Sequence, residues 1–349
     1  MSKNQNSIDS MMMTELNDMI ERATRLEKWP LARLISLFET STPKAKQERH
    51  NVIDLLNKRP DQLKKSGLVL GITGTPGAGK SSLIGEVCLN MLQQNPQLSI
   101  AVLAVDPSSQ RSGGSLLGDR TRTNFPVNDK RLFFRSQASD LDLGGVGKKT
   151  YQVTRLLRHL FDIIIIETVG IGQSEIEVEQ LSDHTCLILQ PFAGDQVQFM
   201  KAGIMEVPDT FVVNKCDEDS LAKKSYHLLK SSLKLVNISL DQSDAPAKEI
   251  FLTSALKQKG IDELARFLLT LHSDLSTRKN KDEQEMYYLR KWVQQEFGRF
   301  GTTKFDQLLH DTLWNERSYE EKERIIIDDM QTFIPSLAAS NDSNFKCLT

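Results

Sequence analysis

The stretch "LVLGITGTPGAGKSSLI", residues 68–84, decides the fold of this chain. It starts as a short apolar run, passes through a glycine-rich turn and continues as a segment with helical apolar periodicity. Its centre, Gly74 to Ser81, matches the pattern G-x-x-x-x-G-K-[ST]. A strand, a glycine loop and a helix in this order direct backbone N–H groups toward phosphates. The stretch therefore predicts a P-loop that binds a nucleotide.

Two side chains of the pattern have expected contacts with the bound nucleotide and its metal ion. Lys80 can reach the β- and γ-phosphate oxygens, and the Ser81 hydroxyl should bind magnesium. The predicted phosphate-binding residues are Gly74, Pro76, Gly77, Ala78, Gly79, Lys80, Ser81 and Ser82.

Around this loop, apolar strand candidates alternate with helical segments. Several of the apolar runs are continuous, as expected for parallel strands that are covered on both faces. The alternation predicts an α/β fold with a doubly wound, mostly parallel sheet, whose ligand lies at the carboxyl ends of the strands. The predicted strands are 68–73, 99–106, 131–136, 161–168, 184–191, 209–215 and 249–255.

The two ends of the chain have helical periodicity without strand signals. We predict an N-terminal helical extension over 1–66, a P-loop domain over 67–275, and a C-terminal helical arm with a tail over 276–349. From periodicity alone, the last segment is either a cap on the main domain or an arm that packs against a second copy.

The composition is that of an ordinary water-soluble protein. Of 349 residues, 39% are hydrophobic and 26% charged, and the net charge is −2, so nothing favours a nucleic-acid or anionic membrane partner. The four cysteines are widely spaced, which favours a reducing compartment and argues against a zinc site. No apolar run approaches the roughly 20 residues that span a bilayer. We expect a cytoplasmic protein with no membrane or nucleic-acid partner.

A second motif predicts the base. The stretch "VVNKCD" ends a predicted strand and matches N-K-x-D, and "TSA" (253–255) ends a later one. A carboxylate at Asp217 accepts the two N–H groups of guanine and faces an unsuitable acceptor in adenine. The predicted ligand is therefore GTP or GDP. The residues expected at the base are Asn214, Lys215, Asp217, Ser254, Ala255 and Leu256.

The stretch "IIIIETVGIGQSE" (163–175) predicts the metal and γ-phosphate side of the site. Its strand ends near Glu167, which should face magnesium, and the Gly170 N–H can reach the γ-phosphate. Magnesium takes six oxygen ligands and keeps several waters, so the acids are a mixture of direct and water-mediated ligands. Gln173 either positions the attacking water or only hydrogen-bonds within a switch loop. The predicted metal set is Ser81, Asp106, Asp119 and Glu167.

These motifs together resemble the ArgK/MeaB family of GTPases, which includes the mitochondrial MMAA protein and serves adenosylcobalamin-dependent methylmalonyl-CoA mutase. The most specific stretches are "VLAVDPSSQRSGGSLLGDRTR" and "IIIETVGIGQSE", and the likeness covers nearly all of 67–275. It implies a chaperone that couples GTP state to cofactor delivery and protects the mutase. It also implies a homodimer formed through the C-terminal arm.

The resemblance further implies an additional switch around Asp195, Gln198 and Lys201. Here Lys201 is followed by Ala202, where relatives commonly have a second lysine. Intrinsic hydrolysis is expected to be slow and to be accelerated by the partner. The predicted catalytic residues are Lys80, Asp119, Glu167, Gly170, Gln173 and Lys201.

Two other functional classes share part of this pattern. A nickel or other metallochaperone GTPase would need a cysteine and histidine site that the sequence does not offer. A transport-associated nucleotidase or kinase would use ATP, which Asp217 disfavours.

Overall fold

The computed structural model describes residues 2–61, 65–106, 129–138, 146–168, 173–191, 207–239 and 248–344. Within these ranges it leaves out the side chains of 2–12, 106, 173–176, 235–239 and 332–344.

The described strands form one seven-stranded sheet in the order β3-β2-β4-β1-β5-β6-β7, and every pairing is parallel. The predicted α/β fold with a parallel sheet is confirmed. The strands are β1 (Leu68–Gly74), β2 (Ile100–Asp106), β3 (Leu132–Ala138), β4 (Ile163–Thr168), β5 (His184–Leu189), β6 (Thr210–Val213) and β7 (Glu249–Leu252).

The central strands are buried because their side chains are apolar on both faces. Every residue of β1, β4 and β5 is buried, including the four consecutive isoleucines 163–166. Such runs need helices on both sides of the sheet. The helices that follow the strands are α4 (Lys80–Gln94), α5 (Lys148–Leu160), α6 (Gln173–Leu181), α7 (Asp219–Ser239) and α8 (Ile261–Ser273).

The sheet order places β1 at the topological switch point. The chain builds β2, β3 and β4 on one side of β1 and β5, β6 and β7 on the other. The connections leaving neighbouring strands at this point run in opposite directions and open a crevice at the carboxyl ends. The loop after β1 therefore lies where this class of sheet binds ligands.

Helices flank the sheet domain at both ends of the sequence, as predicted. The N-terminal helices are α1 (Ser2–Thr24), α2 (Lys28–Glu39) and α3 (Pro43–Asn57), and the C-terminal ones are α9 (Lys281–Leu308) and α10 (Tyr319–Asn344). In α9 the backbone leaves helical geometry at Gly298, where φ is 62°. None of the described helices is long and apolar enough to cross a membrane.

The chain forms two compact units. The larger comprises residues 1–41 and 51–279, and the smaller comprises 42–50 and 280–349. In the smaller unit, Arg49 and Glu323 form a buried ion pair at 3.8 Å, and Lys322 pairs with Glu285 at 2.5 Å. The division of the sequence into 1–66, 67–275 and 276–349 stays a prediction.

Candidate nucleotide site

The turn between β1 and α4 has a positive φ at each of its three glycines, Gly74, Gly77 and Gly79. Gly74 has a φ of +143°, and a Cβ there would lie 2.1 Å from the carbonyl oxygen of Ile188. Gly79 has a φ of +81° and caps the amino end of α4. Only glycine adopts such angles at little cost, so the sequence pattern and the turn geometry agree. The turn delivers the chain directly into the first turn of α4, whose N–H groups have no partner within the helix.

Lys80, the first residue of α4, folds back over this turn. Its side chain is buried, and Nζ donates to the carbonyl oxygens of Gly74 at 2.9 Å and Thr75 at 3.2 Å. The ammonium is thus held beside the amino end of α4. Positive charge and helix-end N–H groups together attract an anion such as a phosphate.

The other residues predicted in this loop surround the same turn. The Ala78 N–H donates to the Thr75 carbonyl at 3.2 Å, and the Ala78 side chain is buried. Pro76, Gly77 and Ser82 are exposed at the surface of the turn.

Ser81 and Glu167 meet at the carboxyl edge of the sheet. The Ser81 hydroxyl donates to Glu167 Oε1 at 2.7 Å, although 86 residues separate the two in sequence. Glu167 is buried in β4, opposite Ile72 of β1 and Ala104 of β2. A hydroxyl and a carboxylate are the oxygen ligands that Mg²⁺ prefers, so this pair fits a magnesium site.

Asn214 joins the P-loop to the predicted base-binding segment. It follows β6 and is 1% exposed. Its Nδ2 donates to the carbonyl oxygen of Ala78 at 2.8 Å, while its Oδ1 accepts from Thr253 Oγ1 at 3.2 Å and from the Ala255 N–H at 3.4 Å. One buried side chain thus fixes the distance between the phosphate loop and both base-recognition loops.

The base-recognition loops are also tied to each other. The hydroxyl of Ser254 donates to the Asp217 carboxylate, and Lys257 Nζ donates to the Asp217 carbonyl at 2.7 Å. The Lys257 N–H donates to Ser254 Oγ at 3.0 Å. The Asp217 side chain is therefore oriented before any base is bound.

The remaining base-loop residues differ in exposure. Lys215 is exposed and has a φ of +63°, a backbone conformation that few side chains adopt. Cys216 points away, into the core, and its burial raises the pKa of the thiol. Leu256 is 85% exposed, although it is apolar.

Several predicted site residues lie outside the described part. These are Asp119, Gly170, Asp195, Gln198 and Lys201, together with the side chains of Asp106 and Gln173. The backbone places Asp106 at the end of β2 and Gln173 at the start of α6. Among the described side chains, no cluster of three histidine, cysteine or acidic residues forms a metal site. The predicted roles of these residues stay predictions.

Two described residues that the sequence interpretation missed also belong to the site. Thr253 holds the Asn214 amide, and Lys257 holds the Asp217 backbone. Thr253 belongs to the quoted "TSA", so its position at a strand end next to Ser254 was the available signal. Lys257 gave no signal, because its contact depends on the local turn.

Comparison with known proteins agrees with this geometry. A family model described as methylmalonyl-CoA mutase-associated GTPase MeaB matches residues 31–300. GTPase ArgK of Escherichia coli is 32% identical over 309 residues, 85% of this chain and 90% of that protein. The mitochondrial methylmalonic aciduria type A homolog of Caenorhabditis elegans is 32% identical over 272 residues, 75% of this chain and 67% of that protein.

A solved structure of a protein titled LAO/AO transport system kinase superposes with a TM-score of 0.60 at 25% identity. The match covers 91% of this chain and 98% of that one. The family model spans well over half of the chain and includes both nucleotide loops. The chain therefore belongs to the MeaB family of methylmalonyl-CoA mutase-associated P-loop GTPases.

Proposed function

We propose that this GTPase is a chaperone that gates the loading of adenosylcobalamin into an acyl-CoA mutase of the methylmalonyl-CoA type and protects that enzyme. Its reaction is the hydrolysis of GTP to GDP and phosphate. The observation that carries the nucleotide assignment is the Asn214 bridge, which holds a phosphate loop and a guanine-type loop at fixed separation. The mutase partner rests on the family and on the name of the nematode relative.

The described residues divide the work of binding and hydrolysis. Asp217 accepts the guanine N–H groups, and because Ser254 already orients its carboxylate, little ordering is needed on binding. Lys80 exchanges its carbonyl acceptors for phosphate oxygens and offsets their negative charge. Ser81 and Glu167 would hold Mg²⁺, which when bound draws charge from the β- and γ-phosphates.

Turnover is slow in the free protein and accelerated by the mutase. No described side chain supplies an arginine finger, and in related reactions such a group contributes about 10³–10⁵ in rate. We propose that docking orders the loops that contain Asp119, Gly170, Gln173 and Lys201, and thereby completes the site. We also propose that the chain is a homodimer through its C-terminal helices and acts in the cytoplasm.

Base selection is tested with Asp217→Asn, and the adjacent exposed acid Glu218→Gln is the control. Asp217→Asn should weaken GTP binding by at least about 100-fold and shift preference toward xanthosine triphosphate, because the amide reverses one hydrogen bond. Glu218→Gln should bind GTP as the wild type does. Equal affinity of wild-type protein for ATP and GTP would refute the assignment.

The chaperone role is tested by single-turnover hydrolysis with and without an adenosylcobalamin-dependent mutase at saturating concentration. We expect the mutase to increase the rate, and we expect transfer of adenosylcobalamin to the apo-mutase to differ between the GTP-bound and GDP-bound protein. Unchanged hydrolysis and unchanged transfer would refute the role while leaving GTP binding intact. Light scattering of the free protein checks for the dimer.

A further inference from the structure

Lys279 attaches the end of the larger unit to the carboxyl end of α6. Its Nζ donates to the carbonyl oxygen of Glu179 at 2.8 Å and to Glu179 Oε1 at 3.0 Å. Both side chains are about one third exposed, so the ion pair is partly shielded from water. The Lys279 N–H also donates to Asp183 Oδ1 at 3.2 Å. Three hydrogen bonds therefore hold this residue against the helix and the turn that follows it.

Asp183 is itself a buried junction. Its carboxylate accepts two hydrogen bonds from the Arg158 guanidinium, at 3.0 and 3.1 Å, and one from the Val69 N–H at 2.8 Å. Its own N–H donates to the Val69 carbonyl at 2.8 Å. Since Val69 lies in β1, the strand that leads into the P-loop, Lys279 is connected through one carboxylate to the base of the phosphate-binding strand.

Helix α6 joins this junction to the opposite edge of the sheet. It begins at Gln173, shortly after Glu167, whose carboxylate contacts Ser81. It packs closely on β1, because a Cβ at Gly71 would lie 2.5 Å from Ser182 Oγ and 3.0 Å from Val178 Cγ2. A helix in such contact moves as a rigid element, so a constraint at its carboxyl end also restrains its amino end.

We propose that Lys279 is a positioning residue for GTP hydrolysis, acting through α6 on the catalytic edge of the sheet. It is the last residue of the larger unit, and the chain runs from it through the Asn280 cap into α9. The proposal rests on the GTPase activity but not on the identity of the partner.

Lys65 provides a matched control for this lysine. Lys65 Nζ pairs with Asp162 at 2.8 Å, with side chains 34% and 22% exposed, against 33% and 27% for Lys279 and Glu179. Lys65 also donates to Ser99 but has no hydrogen bond to α6. Replacing either lysine removes a partly buried ion pair of similar geometry, and only one of the two pairs involves α6.

The experiment compares wild type, Lys279→Ala, Lys279→Arg, Glu179→Gln and Lys65→Ala. Wild-type hydrolysis is measured first, since its absence would count against the GTPase assignment and not against this inference. We expect Lys279→Ala to lower kcat about tenfold with KM for GTP within twofold, because a small displacement of reacting groups slows chemistry more than binding. Lys279→Arg should recover most of kcat, and Glu179→Gln should lose part of it.

Thermal unfolding distinguishes positioning from general destabilisation. Lys279→Ala and Lys65→Ala should show similar shifts in Tm, while Lys65→Ala keeps the wild-type kcat. A kcat for Lys279→Ala equal to that of Lys65→Ala would overturn the proposal, and so would a rise in kcat. If Lys279→Ala does not fold, Glu179→Gln decides: wild-type kcat in that variant would overturn the proposal.

Discussion

Removing the Asn214 side chain should weaken both the fold and nucleotide binding. Asn214→Ala deletes the hydrogen bonds to Ala78, Gly79, Thr253 and Ala255. It leaves the buried Ala78 carbonyl and Thr253 hydroxyl without that partner. The P-loop and the base-recognition loops then lose the side-chain hydrogen bonds that bridge them.

The magnitude follows from the geometry of the four bonds. Those at 2.8 and 3.2 Å lie within the ordinary range and contribute about 0.5–1.5 kcal/mol each, while those at 3.4 and 3.5 Å contribute little. Leaving a buried acceptor unsatisfied costs about 1–3 kcal/mol more. We therefore expect the free energy of unfolding to fall by about 2–6 kcal/mol.

Urea unfolding gives the stability, and titration calorimetry gives the affinities for GTP and GDP. Both nucleotides should bind about 10–100-fold more weakly, since 1.4 kcal/mol corresponds to about a factor of ten. The two losses should be similar, because the bridge does not touch the γ-phosphate side. The control Thr253→Val removes a single hydrogen bond and should cost only about 1 kcal/mol.

Two results would contradict this reasoning. If Asn214→Ala changed the free energy of unfolding by less than about 0.5 kcal/mol, the hydrogen bonds would not carry their ordinary net value. If GTP affinity alone fell while GDP affinity was unchanged, the side chain would act on the γ-phosphate and not on the spacing between loops.

Three further predictions concern the turn, the metal and acid stability. Gly79→Ala should weaken nucleotide binding at least tenfold in calorimetry, because its φ is +81° and a Cβ would lie 2.8 Å from the Asn214 amide nitrogen. The control Gly85→Ala places a Cβ in open space and should keep the wild-type affinity. Ser81→Ala should abolish the increase in GTP affinity that millimolar Mg²⁺ produces over EDTA. Burial alone would raise the pKa of Asp162, but hydrogen bonds from Lys65 and a neighbouring serine outweigh it and hold the pKa below its ordinary value. The stabilisation is therefore present above about pH 4 and lost as pH falls through the lowered pKa, so Asp162→Asn should flatten that part of the acid-unfolding curve.

The sequence was most informative where chemistry and local geometry depend on the same residues. The P-loop was predictable because Gly74 and Gly79 need positive φ angles that few other residues adopt. The strand ends were predictable within three residues, and the central strands best, because these are apolar on both faces, as in the run 163–166. A mostly parallel pairing was predictable from the helical segments that alternate with the strands, and the described pairings are all parallel.

The long-range polar contacts were not predictable. The junction at Asp183 unites Arg158, Val69 and Lys279, which no short motif links. The Ser81–Glu167 hydrogen bond was predicted only as a shared location, since the direct contact depends on the length of the glutamate side chain. Such contacts arise from the packing of distant segments, so local pattern carries no record of them.

Helix α3 limits what can be learned from truncating this protein before Asn280. It is one continuous helix, Pro43–Asn57, yet its first half belongs to the smaller unit and its second half to the larger. Cutting the chain before Asn280 would leave Arg49, now 3% exposed, without the carboxylate of Glu323. A deletion of the C-terminal helices would therefore also remove packing partners from the first half of α3. Loss of function in such a truncated protein would therefore say nothing specific about the C-terminal residues, and point variants are the sounder probe.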